Sequence, residues 1–172
     1  MAGGTRPMLA CYWRPFCSIT QSARRLSREY MRVLMAAFSS VNKRSMLVYK
    51  DDFRKIEWWR DMGLREMGCR IERMRNQVEA NGHTRFVLMV APDKLTAYAD
   101  FIRDKELRNI SLLSELASHL PEVVPRLDLT LVSAIRRREQ DVYMPNDTHW
   151  SSTGYQIAAE TLLDFLHHPT TQ

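Results

Sequence analysis

Asp147 and His149 are the residues of this chain whose types and spacing best suit acid–base chemistry. They sit within Asp141-Val142-Tyr143-Met144-Pro145-Asn146-Asp147-Thr148-His149-Trp150-Ser151-Ser152-Thr153-Gly154-Tyr155. This stretch reads as a short strand, a proline-bounded turn and a helix opened by hydroxyl residues. A carboxylate and an imidazole held on one rigid loop make the orienting half of a nucleophilic triad, in which the acid sets the imidazole tautomer and stabilises the imidazolium that forms. Asp, Ser and Thr also gather at helix starts, where their oxygens accept otherwise orphaned amides. A capped helix start is therefore the other reading of the same residues.

The elements that must hold this turn come from the hydrophobic pattern. Phe86 to Val90 is a nearly unbroken apolar run, suited to a central strand covered on both faces, and it ends at Pro92-Asp93-Lys94. Ligands gather beyond the carboxyl ends of strands in open α/β sheets, which makes Asp93 and Lys94 candidates for a site. Pro-Asp is equally an ordinary turn whose aspartate caps its own backbone. Asp51 and Asp52 start a long helix to about Ala80, stopped by Asn81-Gly82, with Leu64, Met67, Ile71, Met74 and Val78 as its apolar stripe. Trp58 and Trp59 near its start read as core and rim aromatics, with a sugar platform as the alternative.

Further on, Leu95 to Phe101 and Ser111 to Leu120 predict short helices, and Val123 to Leu127 a short strand. Asp128 to Ile135 predicts a helix whose basic end, Arg136-Arg137-Arg138, complements the helix dipole. Ile157, Ala158, Thr161, Leu162 and Phe165 give the last helix a buried face. Upstream, Leu26, Tyr30, Val33, Leu34 and Ala37 fall on one face of a helix over 19–38. Strand and helix alternate, which predicts an α/β domain with a mainly parallel sheet flanked by helices. With three strands visible, that sheet is expected to be incomplete.

The run Val142 to Trp150, followed by Gly154 and an Ala-containing helix, resembles the Asp-Thr-His-Trp signature of the alginate O-acetyltransferase family (AlgX/AlgJ type), a branch of the SGNH hydrolase-like fold. Phe86 to Lys94, with Tyr98 just after, is similar to that family's strand ending in Pro-Asp-Lys, and Met46 to Asp52 resembles its opening strand. The likeness covers about residues 45 to 168. It implies an enzyme that acetylates hydroxyls of an exopolysaccharide such as alginate through a Ser-His-Asp triad, with Asp147 orienting His149 and His149 as general base. It also implies Lys94, Tyr98 and Trp150 as substrate-binding residues, a polysaccharide acceptor and an acetyl donor as partners alongside proteins of a biosynthesis complex, a periplasmic location, and no cofactor. The family's serine lies downstream in a Gly-x-Ser context, whereas 22 residues follow Trp150 here and none supplies one. Ser151 and Ser152 belong to a helix start. The chain is therefore expected to be the N-terminal part of such a domain, inactive by itself. A non-catalytic polysaccharide-binding or assembly module is the alternative.

Composition sets outer bounds. A chain of 172 residues with 45% hydrophobic and 26% charged residues is one domain on size, large enough for a real core. The net charge of +5 is uneven: residues 1–44 hold eight Lys/Arg against one Asp/Glu, and the remainder holds 17 against 19. We read residues 1–44 as a basic leader, partly irregular, and 45–172 as the partial SGNH-like domain. The excess charge lies in the leader, so no basic face on the domain calls for nucleic acid. No stretch reaches the ~20 apolar residues of a membrane span. Arg6, Arg14, Arg24 and Arg25 break the apolar runs that a signal peptide requires. Cys11, Cys17 and Cys69 show no metal-like spacing, and Cys11 with Cys17 reads as either a disulfide or two free thiols. No metal site is expected; the pair His167-His168 reads as a solvated terminus.

Overall fold

In the structure, a computed structural model, residues 28–55, 57, 63–103, 111 and 113–168 are described. The expectations for Trp58, Trp59, Cys11 and Cys17 lie outside them. Strand β1 (Arg28–Arg32) pairs antiparallel with β2 (Ser45–Tyr49), in the register Tyr30 opposite Leu47. Met46, Leu47 and Val48 are all buried, as befits a strand covered on both faces. The chain between the strands turns back on itself through Ala37 N–H to Lys43 O (2.8 Å), then Val33 bridges to Ile102.

Residues 28–38 thus form a strand and an apolar plug instead of the expected helix. Val33, Met35, Ala37 and Phe38 are buried in the main core while Tyr30 and Leu34 face solvent. The packed domain therefore takes in part of the stretch that its charge grouped with the leader.

A 3-10 turn (Lys50–Arg54) follows β2, and helix α1 (Leu64–Glu79) comes after Gly63, whose φ of 69° ends continuity with what precedes it. The expected single helix from Asp51 to Ala80 is therefore broken. Of the apolar stripe of α1, Ile71 is buried, while Met74 and Val78 stay exposed. α2 (Lys94–Ala97) runs into a 3-10 turn (Ala99–Phe101), followed by α3 (Leu113–His119), α4 (Leu127–Arg136) and α5 (Ser152–His167). Helices α4 and α5 lie side by side, with Thr161 Oγ1 bonded to Thr130 Oγ1 at 2.9 Å. Ala158, Thr161 and Phe165 are the buried face of α5, as their spacing predicts.

The expected parallel sheet is not seen among the described residues, where the sheet is two-stranded and antiparallel. Phe86 to Val90 forms no strand. Its apolar side chains pack with Ile71, Leu113, Leu116 and Val123 in a second hydrophobic cluster, and Leu88 N–H bonds the Val123 carbonyl at 2.7 Å. A continuous apolar run reports burial but not pairing, and an extended segment laid over two helices satisfies it as well as a ladder does. Val123 to Arg126 is likewise irregular, and Leu127 already begins α4. Asp141 to Met144 contributes one isolated bridge, Tyr143 to Trp150. Among the described residues, no helix is long and apolar enough to cross a membrane.

Candidate active site

Residues 142–151 close on themselves like a small clasp. Met144 N–H bonds the His149 carbonyl (3.1 Å), Asp147 N–H reaches the Met144 carbonyl (3.4 Å), and Ser151 N–H bonds the Val142 carbonyl (3.2 Å). Val142 and Tyr143 at the base are buried, which fixes the clasp to the core. On its far side, Ser151 caps α5 by accepting Thr153 N–H (3.1 Å), and its hydroxyl donates to the Asp141 carbonyl. The expected helix-start role of Ser151 is thus what the structure shows, and it takes the hydroxyl away from His149.

At the tip, the Asp147 carboxylate lies 2.6 Å from His149 Nδ1 through Oδ1. The same oxygen accepts the backbone N–H of Thr148 (2.6 Å) and of His149 (3.2 Å). The bond from the His149 ring, then those from the two amides, hold the Asp147 carboxyl down at about 2. An ionised carboxylate can only accept, so the Nδ1 of the neutral ring carries the proton and Nε2 keeps its lone pair. Both side chains are open to solvent, and among the described residues Nε2 has no protein partner. The two groups read as a dyad in sequence are therefore brought together, with the basic nitrogen facing outward.

Lys94 and Tyr98 behave otherwise. Lys94 is 1% exposed and its Nζ donates to the carbonyls of Met144 (2.5 Å) and Pro145 (3.2 Å) while lying 5.4 Å above the Phe38 ring. Burial pulls its ammonium down to about 8, with the Asp147 charge pulling the other way. Tyr98 is wholly buried against Phe38 and Tyr143, and burial pushes its phenol up. Substrate contact needs an open face, and neither residue has one: α2 packs inward with Leu95 and Ala97 in the core. The Tyr143 backbone N–H faces the Tyr98 hydroxyl, yet that hydroxyl has no partner at hydrogen-bond geometry. A buried unpaired hydroxyl costs ~1–3 kcal/mol, so Tyr98→Phe is expected to stabilise the fold by about 1 kcal/mol. A clearly lower melting temperature for that variant would show that the hydroxyl holds the Tyr143 amide after all.

Trp150 is half-buried, edge-on to Tyr143 (6.5 Å, 75°) and to the exposed Tyr155 (5.5 Å, 82°). Of the three residues expected to face substrate, Trp150 is the one left partly open beside His149. Tyr155, one turn into α5, was not singled out by sequence, because an exposed aromatic on a helix carries no distinctive spacing.

Two further groups were also missed. Tyr143 donates its hydroxyl to the Pro92 carbonyl (2.5 Å), tying the clasp to the 92–97 segment. Lys55, also buried, pairs with Asp93 and donates to Thr96 Oγ1, a contact across 38 residues that no local pattern signals. Asp93 meanwhile caps α2 by accepting Thr96 N–H (2.9 Å), the self-capping role its type suggests. Beside it, burial and the Asp93 charge push the Asp52 carboxyl up to about 6. Among the described residues, no group of three His, Cys, Asp or Glu could hold a metal ion.

Comparison with curated proteins and with solved structures gave no match. Among family models, the one described as SGNH hydrolase-like domain, acetyltransferase AlgX, matches residues 48–171, which takes in the end of β2, the Lys94 segment, the clasp and α5. With that span and the Asp147–His149 pair inside it, the chain belongs to the AlgX acetyltransferase family of SGNH hydrolase-like domains.

Proposed function

We propose that this chain supplies the acid–base half of a serine O-acetyltransferase acting on hydroxyls of an exopolysaccharide such as alginate. The observation that carries the reading is the 2.6 Å contact between Asp147 and His149 Nδ1, with Nε2 turned to solvent. In this scheme His149 Nε2 takes the proton of a serine hydroxyl as its oxygen attacks the acetyl carbonyl of a donor. The imidazolium, held by Asp147, returns that proton to the departing group. The acetyl-serine then forms. A sugar hydroxyl gives its proton to Nε2 and attacks in turn; collapse passes the acetyl group to the sugar and the proton back to serine.

No serine hydroxyl among the described residues is bonded to His149. Ser111 donates to Asp128, Ser118 to its own helix and Ser151 to Asp141. The nucleophile of the scheme therefore comes from elsewhere than these. The periplasmic location that goes with the family finds support in Cys69, which is disulfide-bonded, a state that persists in oxidising compartments. A polysaccharide acceptor and an acetyl donor are the partners implied, with biosynthesis-complex proteins beside them.

The test is release of p-nitrophenol from its acetyl ester. The 172-residue chain alone is expected to show no His149-dependent release. Turnover is expected when a Gly-x-Ser segment of the family is fused or added in trans, and its loss in His149→Ala. Turnover by the chain alone that vanishes in both His149→Ala and one serine→Ala variant would overturn the scheme. The exposed Tyr155 edge against Trp150 favours the second reading, a polysaccharide-binding module without catalysis. Saturable binding of the polymer with no turnover in either format would select it.

A further inference from the structure

We propose that Lys94 is a positioning residue for the Asp147–His149 pair: its buried ammonium, bonded to the carbonyls of Met144 and Pro145, holds the tip of the 142–151 clasp closed. The inference rests on the acid–base reading of that pair for its functional meaning, though not for its geometry.

Three observations lead to it. An ammonium that is almost completely buried must find strong partners, because an unpaired charge in the interior is very costly. The hydrogen-bond acceptors of Lys94 Nζ are backbone carbonyls rather than a carboxylate, and both belong to the clasp. Met144 is the shared node: its carbonyl accepts from Lys94 and from Asp147 N–H, while its own N–H donates to the His149 carbonyl. A single residue thereby joins Lys94 to both members of the pair.

The anchor itself is held from below. Asp93 caps α2 and is paired with Lys55, and Tyr143 fastens the clasp to the Pro92 carbonyl. The segment 92–97 therefore grips the clasp at two neighbouring points, Pro92 and Lys94. An apolar side chain would fill the space under Phe38 and Met144 equally well. The ammonium adds direction, drawing two carbonyls inward so that the Asp147 amide and the His149 carbonyl meet Met144.

The experiment uses the full chain labelled with nitrogen-15. In the wild type, neutral His149 is expected to show the ring signature of one tautomer, protonated at Nδ1. Lys94→Met has similar length and no donors. It is expected to give a mixture of the two tautomers, with amide signals outside 92–98 and 142–151 unmoved. Tyr98→Phe, which removes a neighbouring hydroxyl against Tyr143 but leaves both bonds from Lys94 in place, is expected to keep the wild-type signature. In the serine-supplied assay, Lys94→Met is expected to lower kcat about 100-fold with KM little changed, the cost of a small misplacement of reacting groups.

A wild-type His149 signature in folded Lys94→Met overturns the proposal. Should that variant not fold, the wild type decides. Its Lys94 ammonium must give a slowly exchanging signal with cross-peaks to Met144 and Pro145, and the absence of those cross-peaks also overturns it. Failure of the acid–base reading shows elsewhere, as unchanged turnover in Asp147→Asn.

Discussion

Gly154→Ala is expected to destabilise the protein by about 3 kcal/mol, the upper part of the usual range for forcing an extra methyl into a packed site. In a domain of this size that lowers the melting temperature by on the order of 10 °C. A Cβ at this position would lie 2.2 Å from the Val142 carbonyl oxygen and 2.9 Å from Trp150 Cβ. Both neighbours belong to the clasp, and the Val142 carbonyl already accepts Ser151 N–H, so neither can retreat without opening the site. Alanine is the better helix former by ~1 kcal/mol, which the clash outweighs. Gly68 in α1 is the control: among the described residues nothing lies within 4 Å of an added Cβ there, so Gly68→Ala should be neutral or stabilising. Equal melting temperatures for the two variants would contradict the close approach of α5 to the clasp. His149 should also lose its single-tautomer signature in Gly154→Ala, since Trp150 and the bridge to Tyr143 move together.

The second large effect is on chemistry. In the serine-supplied assay, Asp147→Asn is expected to lower turnover by about four orders of magnitude, the loss seen when the acid of a serine-protease triad becomes an amide. The asparagine amide can donate to Nδ1 and so favour the tautomer whose Nε2 carries the proton, which is useless as a base. A direct measurement needs no turnover. The Asp147 carboxyl is held down at about 2, so in the wild type its carbon signal should titrate there. In His149→Ala the midpoint should rise, though not fully to the ordinary carboxylate range, because the amides of residues 148 and 149 still donate.

Asp147 also ties the stability of the fold to pH. The folded value is depressed, so the contribution of the pair is present above the ordinary carboxylate value and is lost as pH falls through about 2. A wild-type midpoint near the ordinary value would mean that the two side chains are apart in solution.

What the sequence determined by itself is local. Asp147 and His149 are two residues apart on one proline-bounded turn, so their contact and the caps at Asp93 and Ser151 follow from short-range hydrogen bonds. Helices α4 and α5 were readable for the same reason, α4 from its acidic start and basic last turn and α5 from an apolar stripe that repeats within a few residues. Pairing and depth were left to the tertiary structure. Residues 28–32 carry a pattern that suits a helix in isolation and became a strand because β2 lay open to receive them. Phe86 to Val90 was readable as buried, but whether a neighbouring strand or a helix pair covers it depends on chain far away in sequence. Lys94 and Tyr98 have the types of surface binding residues. The inward packing of α2 turned one into a buried donor to the clasp and the other into core, because burial is decided by what the whole fold places on each side of a short helix.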